Sequence, residues 1–101
     1  MSTDKQRCLL EELQGLLEKQ IKLVRQGKMN NIEILVERAG FIVEQITRTG
    51  ILEQHEFKIR CEHLTELYNK LVLMVAANSE QVNKQLQRVV EGRKTLQAYR
   101  L

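Results

Sequence analysis

The stretch "FKIRCEHLTELYNKLVLMVAANSEQVNKQLQRVVEGRKTLQAY", residues 57–99, decides the fold of this chain of 101 residues. Alternate steps of four and three residues from Phe57 give a 3.5-residue repeat, which is typical of a helix that packs along one seam. The seam positions are Phe57, Cys61, Leu64, Tyr68, Leu71, Val75, Asn78, Val82, Gln85, Val89, Gly92, Leu96 and Tyr99. Because the repeat runs without a phase slip, it favours one continuous helix.

The alternative is a break at "AANSEQ", residues 76–81, where Asn78 can cap a fourth helix and Gln81 follows three residues later. Against the break, this segment has neither Gly nor Pro, and its two alanines favour helix. We therefore expect an all-α fold with an antiparallel helical hairpin and one long C-terminal helix. Four helices are the alternative, if the chain breaks near Asn78.

Two amphipathic helices precede this stretch. The first runs from about Asp4 to Gln26, and the second begins near Asn30–Asn31, where asparagine suits the N-cap, and closes at Gly50. Ile34 and Phe41 are expected to broaden the buried surface of the second helix. The apolar positions predicted to face the core are Leu10, Leu13, Leu17, Ile21, Val24, Ile32, Leu35, Val36, Ala39, Ile42, Val43 and Ile46. The connection around Gly27 is short, which predicts that the two helices are antiparallel.

The lengths of these helices predict an overhang. At about 1.5 Å per residue, the first two helices span about 35 and 30 Å, and a helix over residues 54–99 spans about 70 Å. The hairpin can then cover only Phe57–Val75, and the thinner stripe beyond residue 79 has no partner within the chain. We expect a single domain over residues 1–101, with a helical core at 1–78 and a basic, partner-binding half at 79–101.

Composition and charge narrow the functional classes. The formal net charge is +3, and the excess lies in residues 79–101, which hold five Lys/Arg against two Asp/Glu. Such a face meets either an acidic partner surface or water. The longest apolar run, Leu71–Ala77, is too short to cross a bilayer, and the N-terminus does not resemble a secretory signal. We therefore expect a cytoplasmic protein without membrane insertion, in which Cys8 and Cys61 are reduced, buried thiols.

No catalytic constellation is visible in the sequence. His55 and His63 do not have the spacing of a metal site, and neither cysteine has an oriented base nearby. We expect no enzyme activity, no cofactor and no metal. Nucleic-acid binding is disfavoured, because Gln and Val dilute the positive charges of the C-terminal half.

Two segments resemble the FlgN-type flagellar export chaperones. They are "LVRQGKMNNIEILVERAGFIVEQI", residues 23–46, and "ELYNKLVLMVAANSEQVNKQLQRVVEGRKTLQAYR", residues 66–100. The similarity depends on the helix lengths, the Gln-Gly pair in the first loop and the "GRKTLQAYR" ending. Members of this family are small cytoplasmic helical proteins that hold late export substrates, the hook-associated proteins, before secretion.

The resemblance implies that the C-terminal helix receives an amphipathic helix of a hook-associated substrate and that Tyr99 contacts a component of the export gate. Arg93, Lys94 and Arg100 would aid encounter through their charge. The residues expected to bind partners are Val82, Leu86, Val89, Val90, Arg93, Lys94, Leu96 and Tyr99. The alternative is a self-associating helical adaptor, in which the same stripe pairs with a second copy as a homodimer.

Overall fold

In the computed structural model, the chain forms four α-helices. The structure describes residues 3–28, 31–50, 55–77 and 83–98. The helices are α1 (Thr3–Arg25), α2 (Glu33–Thr49), α3 (Lys58–Ala77) and α4 (Asn83–Ala98), and a short 3₁₀ turn (His55–Phe57) leads into α3. Within these ranges there is no strand, so the predicted all-α class is confirmed.

The four helices form a bundle in which each helix has two neighbours. α1 packs on α2 and α3, and α4 also packs on α2 and α3. The helices α1 and α4 therefore lie at opposite corners, as do α2 and α3. Side-chain pairs show the directions: Arg60 near the start of α3 approaches Glu11 of α1, and Arg88 near the start of α4 contacts Glu37 of α2. The first halves of α1 and α3 and of α2 and α4 therefore meet, as they do in parallel pairs, and the short connection makes the α1/α2 hairpin antiparallel.

The prediction of one continuous C-terminal helix is wrong, and the four-helix alternative is the one observed. α3 ends at Ala77, α4 begins at Asn83, and the two pack side by side. A continuous helix over residues 54–99 would span about 70 Å, whereas the longest dimension of the molecule is 41 Å. The predicted cap at Asn78 lies outside the described residues.

The predicted seam is nevertheless the buried face of both helices. Every described seam position in α3 is buried, and α4 buries Val89, Gly92 and Leu96 in the same phase. In this structure the two separate helices bury the positions that a continuous helix with the same repeat would also bury. The periodicity therefore identified the buried residues but not the element that covers them.

The α1/α2 connection is closed by backbone hydrogen bonds. Gly27 has a φ of 74°, and the Lys28 N–H donates to the Leu23 carbonyl oxygen at 2.9 Å. Gly50 ends α2 with a φ of 70°, so both predicted glycine helix ends are confirmed. The predicted asparagine cap of α2 is not found: Ile32 occupies the N-cap without a side-chain hydrogen bond. Asn30 lies outside the described residues.

One core joins all four helices. It comprises the buried apolar residues Leu10, Leu13, Leu17, Ile21, Val24, Ile32, Val36, Ala39, Ile42, Val43, Ile46, Phe57, Cys61, Leu64, Tyr68, Leu71, Val75, Val89 and Leu96. Two predictions for α2 are corrected, because Ile34 is 78% exposed and Phe41 is 50% exposed. Both side chains lie on the outer side of α2, beyond the stripe that meets the core. Within the described ranges, no helix is both long and apolar enough to span a membrane.

Candidate binding surface on α4

The inward face of α4 is covered by its own chain. Val89 and Leu96 are each 2% exposed, and both belong to the common core. The expectation that the stripe beyond residue 79 has no intramolecular partner is therefore wrong for these two residues. The expectation assumed one continuous helix that extends beyond the hairpin. In the structure α4 packs against α2 and α3, and these two helices cover the inward face of α4.

The other predicted partner-binding residues differ in their exposure. Leu86 and Val90 are half-buried at the edges of the inward face, and Lys94 is exposed. Arg93 is half-buried, and its guanidinium donates a long hydrogen bond of 3.4 Å to Asn69 Oδ1 of α3. Val82 and Tyr99 lie outside the described residues. The structure thus places six of the eight residues on one helix, some facing the core and others facing solvent.

The inward face of α4 buries few apolar side chains. Each of α1, α2 and α3 buries five apolar side chains, whereas residues 85–98 of α4 bury only Val89 and Leu96. At about 1.5–3 kcal/mol for each buried aliphatic side chain, these two contribute about 3–6 kcal/mol. Within the described residues, α4 therefore buries fewer apolar side chains than any other helix of the bundle.

Two buried polar atoms on the same face reduce the stability of the packing of α4 on the bundle. Gln85 Oε1 and Arg93 Nε are buried, and neither has a hydrogen-bond partner among the described residues. A buried polar group without a partner costs about 1–3 kcal/mol, more when it is charged. This cost is of the same order as the gain from Val89 and Leu96. The free energy of docking of α4 is therefore smaller than its apolar burial alone suggests.

The outer edge of α4 is joined to α2 by charge. An Arg88 guanidinium nitrogen lies 2.6 Å from Glu37 Oε1 and 3.9 Å from Glu33 Oε1. All three side chains are partly exposed, at 31%, 56% and 52%. Ion pairs of this kind contribute about 0–1 kcal/mol in water. These ion pairs therefore fix the position of α4 along α2 but contribute little to the free energy of docking.

One close contact fixes α4 on α3. Tyr68 is 2% exposed, and a Cβ built on Gly92 would meet its hydroxyl oxygen at 2.7 Å. Burial raises the pKa of the Tyr68 phenol well above its ordinary value. The sequence contained a signal for this contact, because both residues are seam positions, and an antiparallel reversal near residue 80 places 68 opposite 92. The expectation of a continuous helix concealed it.

The thiols and imidazoles are dispersed in the structure. Cys8 is exposed, in contrast to the expected burial, whereas Cys61 is buried as expected, and both are free thiols. His55 and His63 are exposed. No group of three or more His, Cys, Asp or Glu side chains in the described ranges is arranged to hold a metal ion.

Comparisons with family models, with curated proteins and with solved structures find no match to this chain.

Proposed function

We propose that this protein is a cytoplasmic export chaperone of the FlgN type, which binds hook-associated flagellar substrates through α4. The observation that carries the proposal is the weak docking of α4, whose described inward face buries two apolar side chains and two polar atoms without partners. A helix held this weakly can separate from the bundle at small cost. Its stripe is then available to an amphipathic helix of the substrate.

Separation of α4 from the bundle would allow predicted binding residues that are buried in the structure to contact a partner. Val89 and Leu96 cannot touch a partner while they lie in the core, but Leu86 and Val90 at its edge are already half-exposed. A substrate helix that first meets Leu86 and Val90 gains further apolar contact as α4 leaves the bundle. The apparent affinity is then the intrinsic affinity reduced by the fraction of molecules with α4 released.

The charged end of α4 has a separate role in this proposal. Lys94 is exposed and Arg93 half-buried, and Arg100 adds a third positive charge to this end of the sequence. These groups speed encounter with an acidic surface more than they add affinity. By the resemblance, Tyr99 contacts the export gate.

Co-purification tests the proposal. The full-length chain is used as bait for the hook-associated proteins of its own genome, beside variants Leu86→Asp and Val90→Asp. We expect the parent to retain at least one hook-associated protein and both variants to lose it. Ile59→Asp is the matched control, because Ile59 is apolar and 81% exposed on α3 and its substitution should leave capture unchanged. Circular dichroism verifies that each variant is folded.

Two outcomes would contradict the proposal. Either no hook-associated protein is retained by the folded parent, or Leu86→Asp, Val90→Asp and Ile59→Asp all retain it equally. The homodimer alternative, in which the same stripe pairs with a second copy, requires the same release of α4, because α2 and α3 cover Val89 and Leu96.

A further inference from the structure

A groove runs along the outside of the α2/α4 pair. It has a volume of about 360 Å³, and its lining includes Val36, Gly40 and Phe41 of α2 and Gly92 and Thr95 of α4. The groove exists with α4 docked on the bundle, so it is separate from the inward face of α4. Because the proposed chaperone function requires α4 to leave the bundle, binding in the groove and binding of the export substrate would exclude each other.

Glycine makes the groove accessible at its centre. A Cβ built on Gly40 would meet no atom within 4 Å, so the space above this backbone is open. Gly40 sits inside α2, where glycine costs about 1 kcal/mol relative to alanine. Val36, which is buried, lies one turn before it on the same side of the helix. An incoming apolar side chain can thus approach the α2 backbone closely and reach apolar surface.

An apolar rim borders the groove. Phe41 is 50% exposed, and the Arg38 guanidinium lies 5.4 Å from its ring centroid. Glu12 of α1 in turn binds that guanidinium at 2.7 Å, which fixes the cation beside the ring. Ile34, seven residues before Phe41 and 78% exposed, lies beyond the lining of the groove and is a second exposed apolar side chain on the same side of α2. At about 1.5 Å per residue, the two side chains are about 10 Å apart along the helix axis, two turns of a helix.

The charged side chains that line the groove indicate which kind of partner would bind there. Glu44 of α2 and Glu91 of α4 line the groove from opposite sides, and no described cation pairs with either carboxylate. The described cation that lines the groove, Arg88, is already neutralised by Glu37 and Glu33. Two carboxylates flanking an apolar floor complement an apolar side chain flanked by Lys or Arg.

We propose that the α2/α4 groove is a second binding site, which takes an amphipathic helix of a partner protein carrying apolar side chains flanked by lysine or arginine. Its apolar side chains lie over Gly40 and against Phe41 and Ile34. Its cations face Glu44 and Glu91. A helix fits because the groove lies between two parallel helices, and a third helix packs along such a groove.

A pair of synthetic peptides tests the site with the full-length chain. The probe is a helical peptide of about 18 residues, roughly the length of α2, with leucines on one face and lysines on both sides of them. The control peptide has glutamate at each lysine position. Fluorescence anisotropy of the labelled peptides, at low and at high salt, gives their affinities. We expect the lysine peptide to bind with micromolar affinity and to weaken with salt, and the glutamate peptide to bind at least about tenfold more weakly.

Variants locate the binding. Gly40→Leu fills the groove and should weaken the lysine peptide at least about tenfold, and Glu44→Lys together with Glu91→Lys should do the same through charge. Gly15→Leu is the matched control. Gly15 is also an interior helix glycine with no atom within 4 Å of a built Cβ, but it lies on α1. This variant should bind within about twofold of the parent. Circular dichroism confirms the fold of each variant.

Three results would overturn the site. The first is no detectable binding of the lysine peptide, and the second is equal binding of the two peptides. The third is equal binding by Gly40→Leu and Gly15→Leu. Sedimentation of the protein alone identifies a different occupant: a dimer that Gly40→Leu dissociates would assign the groove to a second copy of the chain and overturn the partner helix.

Discussion

A Cβ placed on Gly92 of α4 would lie 2.7 Å from the hydroxyl oxygen of Tyr68 on α3 and 3.1 Å from the ring carbon that bears it. A Cβ atom does not lie this close to a non-bonded oxygen or carbon atom, so the contact requires glycine at position 92. Tyr68 is among the largest fully buried side chains of the described core. It has little room to withdraw, because protein interiors are close-packed. This pair therefore sets how closely α4 approaches α3.

Gly92→Ala should reduce the free energy of unfolding by about 1–3 kcal/mol, the usual cost of overpacking. The direction is informative, because alanine inside a helix otherwise stabilises by about 1 kcal/mol. The matched control is Gly15→Ala, where a Cβ meets no atom within 4 Å and should stabilise. Urea denaturation followed by circular dichroism measures both. Stabilisation of both variants would show that α3 and α4 do not meet at Tyr68 and Gly92.

The same substitution also tests the release of α4. If a substrate helix binds only after α4 has left the bundle, Gly92→Ala raises the released fraction and tightens the apparent affinity for the hook-associated substrate. Calorimetric titration of the folded variant measures the change. Unchanged or weaker binding would contradict a requirement for release.

Val89→Asp should detach α4 from the bundle. Val89 is 2% exposed, and a carboxylate there would be buried without a partner, so the variant should lose the docking energy of α4, about 1–3 kcal/mol, because release of α4 returns the carboxylate to water. Gln87→Asp is the control, because Gln87 is exposed on the same helix and should change stability by less than about 0.5 kcal/mol. Thermal melts of the two variants compare them directly. A Val89→Asp variant as stable as Gln87→Asp would mean that α4 does not pack on the bundle in solution.

The sequence predicted which residues are buried more reliably than which helices cover them. Helical periodicity depends on local geometry, and so the core positions of α1, the glycine ends at Gly27 and Gly50, and the α3/α4 seam were all found. The reversal between Ala77 and Asn83 has neither Gly nor Pro in its sequence. Its local signal, Asn78 as a cap with Gln81 three residues later, competes with two alanines and an unbroken repeat. The burial of Val89 and Leu96 that favours the reversal is a tertiary effect, which local sequence does not report.

For the outer residues of α2, the sequence predicted burial where the structure shows exposure. Ile34 and Phe41 were expected to be buried because they are apolar, yet only the stripe through Val36, Val43 and Ile46 meets the core. Sequence alone does not distinguish a wide core face from an exposed apolar rim, because both consist of the same residue types. The groove beside Gly40 could be found only once α4 was known to lie against α2.

The Glu12–Arg38 pair makes a prediction for titration. Hydrogen bonding from Arg38, strengthened by its charge, lowers the pKa of the Glu12 carboxyl below its ordinary value. Because the folded pKa is the lower one, the stabilisation from this pair is present above the unfolded pKa and is lost as the pH falls through the folded pKa. Arg38→Gln should return the Glu12 pKa to the ordinary range, whereas Arg48→Gln should not move it. Carbon-13 NMR of the side-chain carboxyl follows both titrations, and an equal pKa in parent and Arg38→Gln would show that the pair is not populated.

Tyr68 makes the corresponding prediction at alkaline pH. Burial raises the pKa of its phenol in the folded state, whereas in the unfolded chain the phenol ionises near about pH 10. The stabilisation is therefore fully present below about pH 10 and is lost as the pH rises toward the folded pKa, by up to about 1.4 kcal/mol per pH unit. Tyr68→Phe keeps the ring and removes the ionisation, so its stability should fall less steeply above about pH 10. Urea denaturation of both proteins at a series of pH values isolates the effect, because the two proteins differ only in the phenol hydroxyl. Parallel stability curves would mean that the Tyr68 hydroxyl is open to water and that α4 does not cover it.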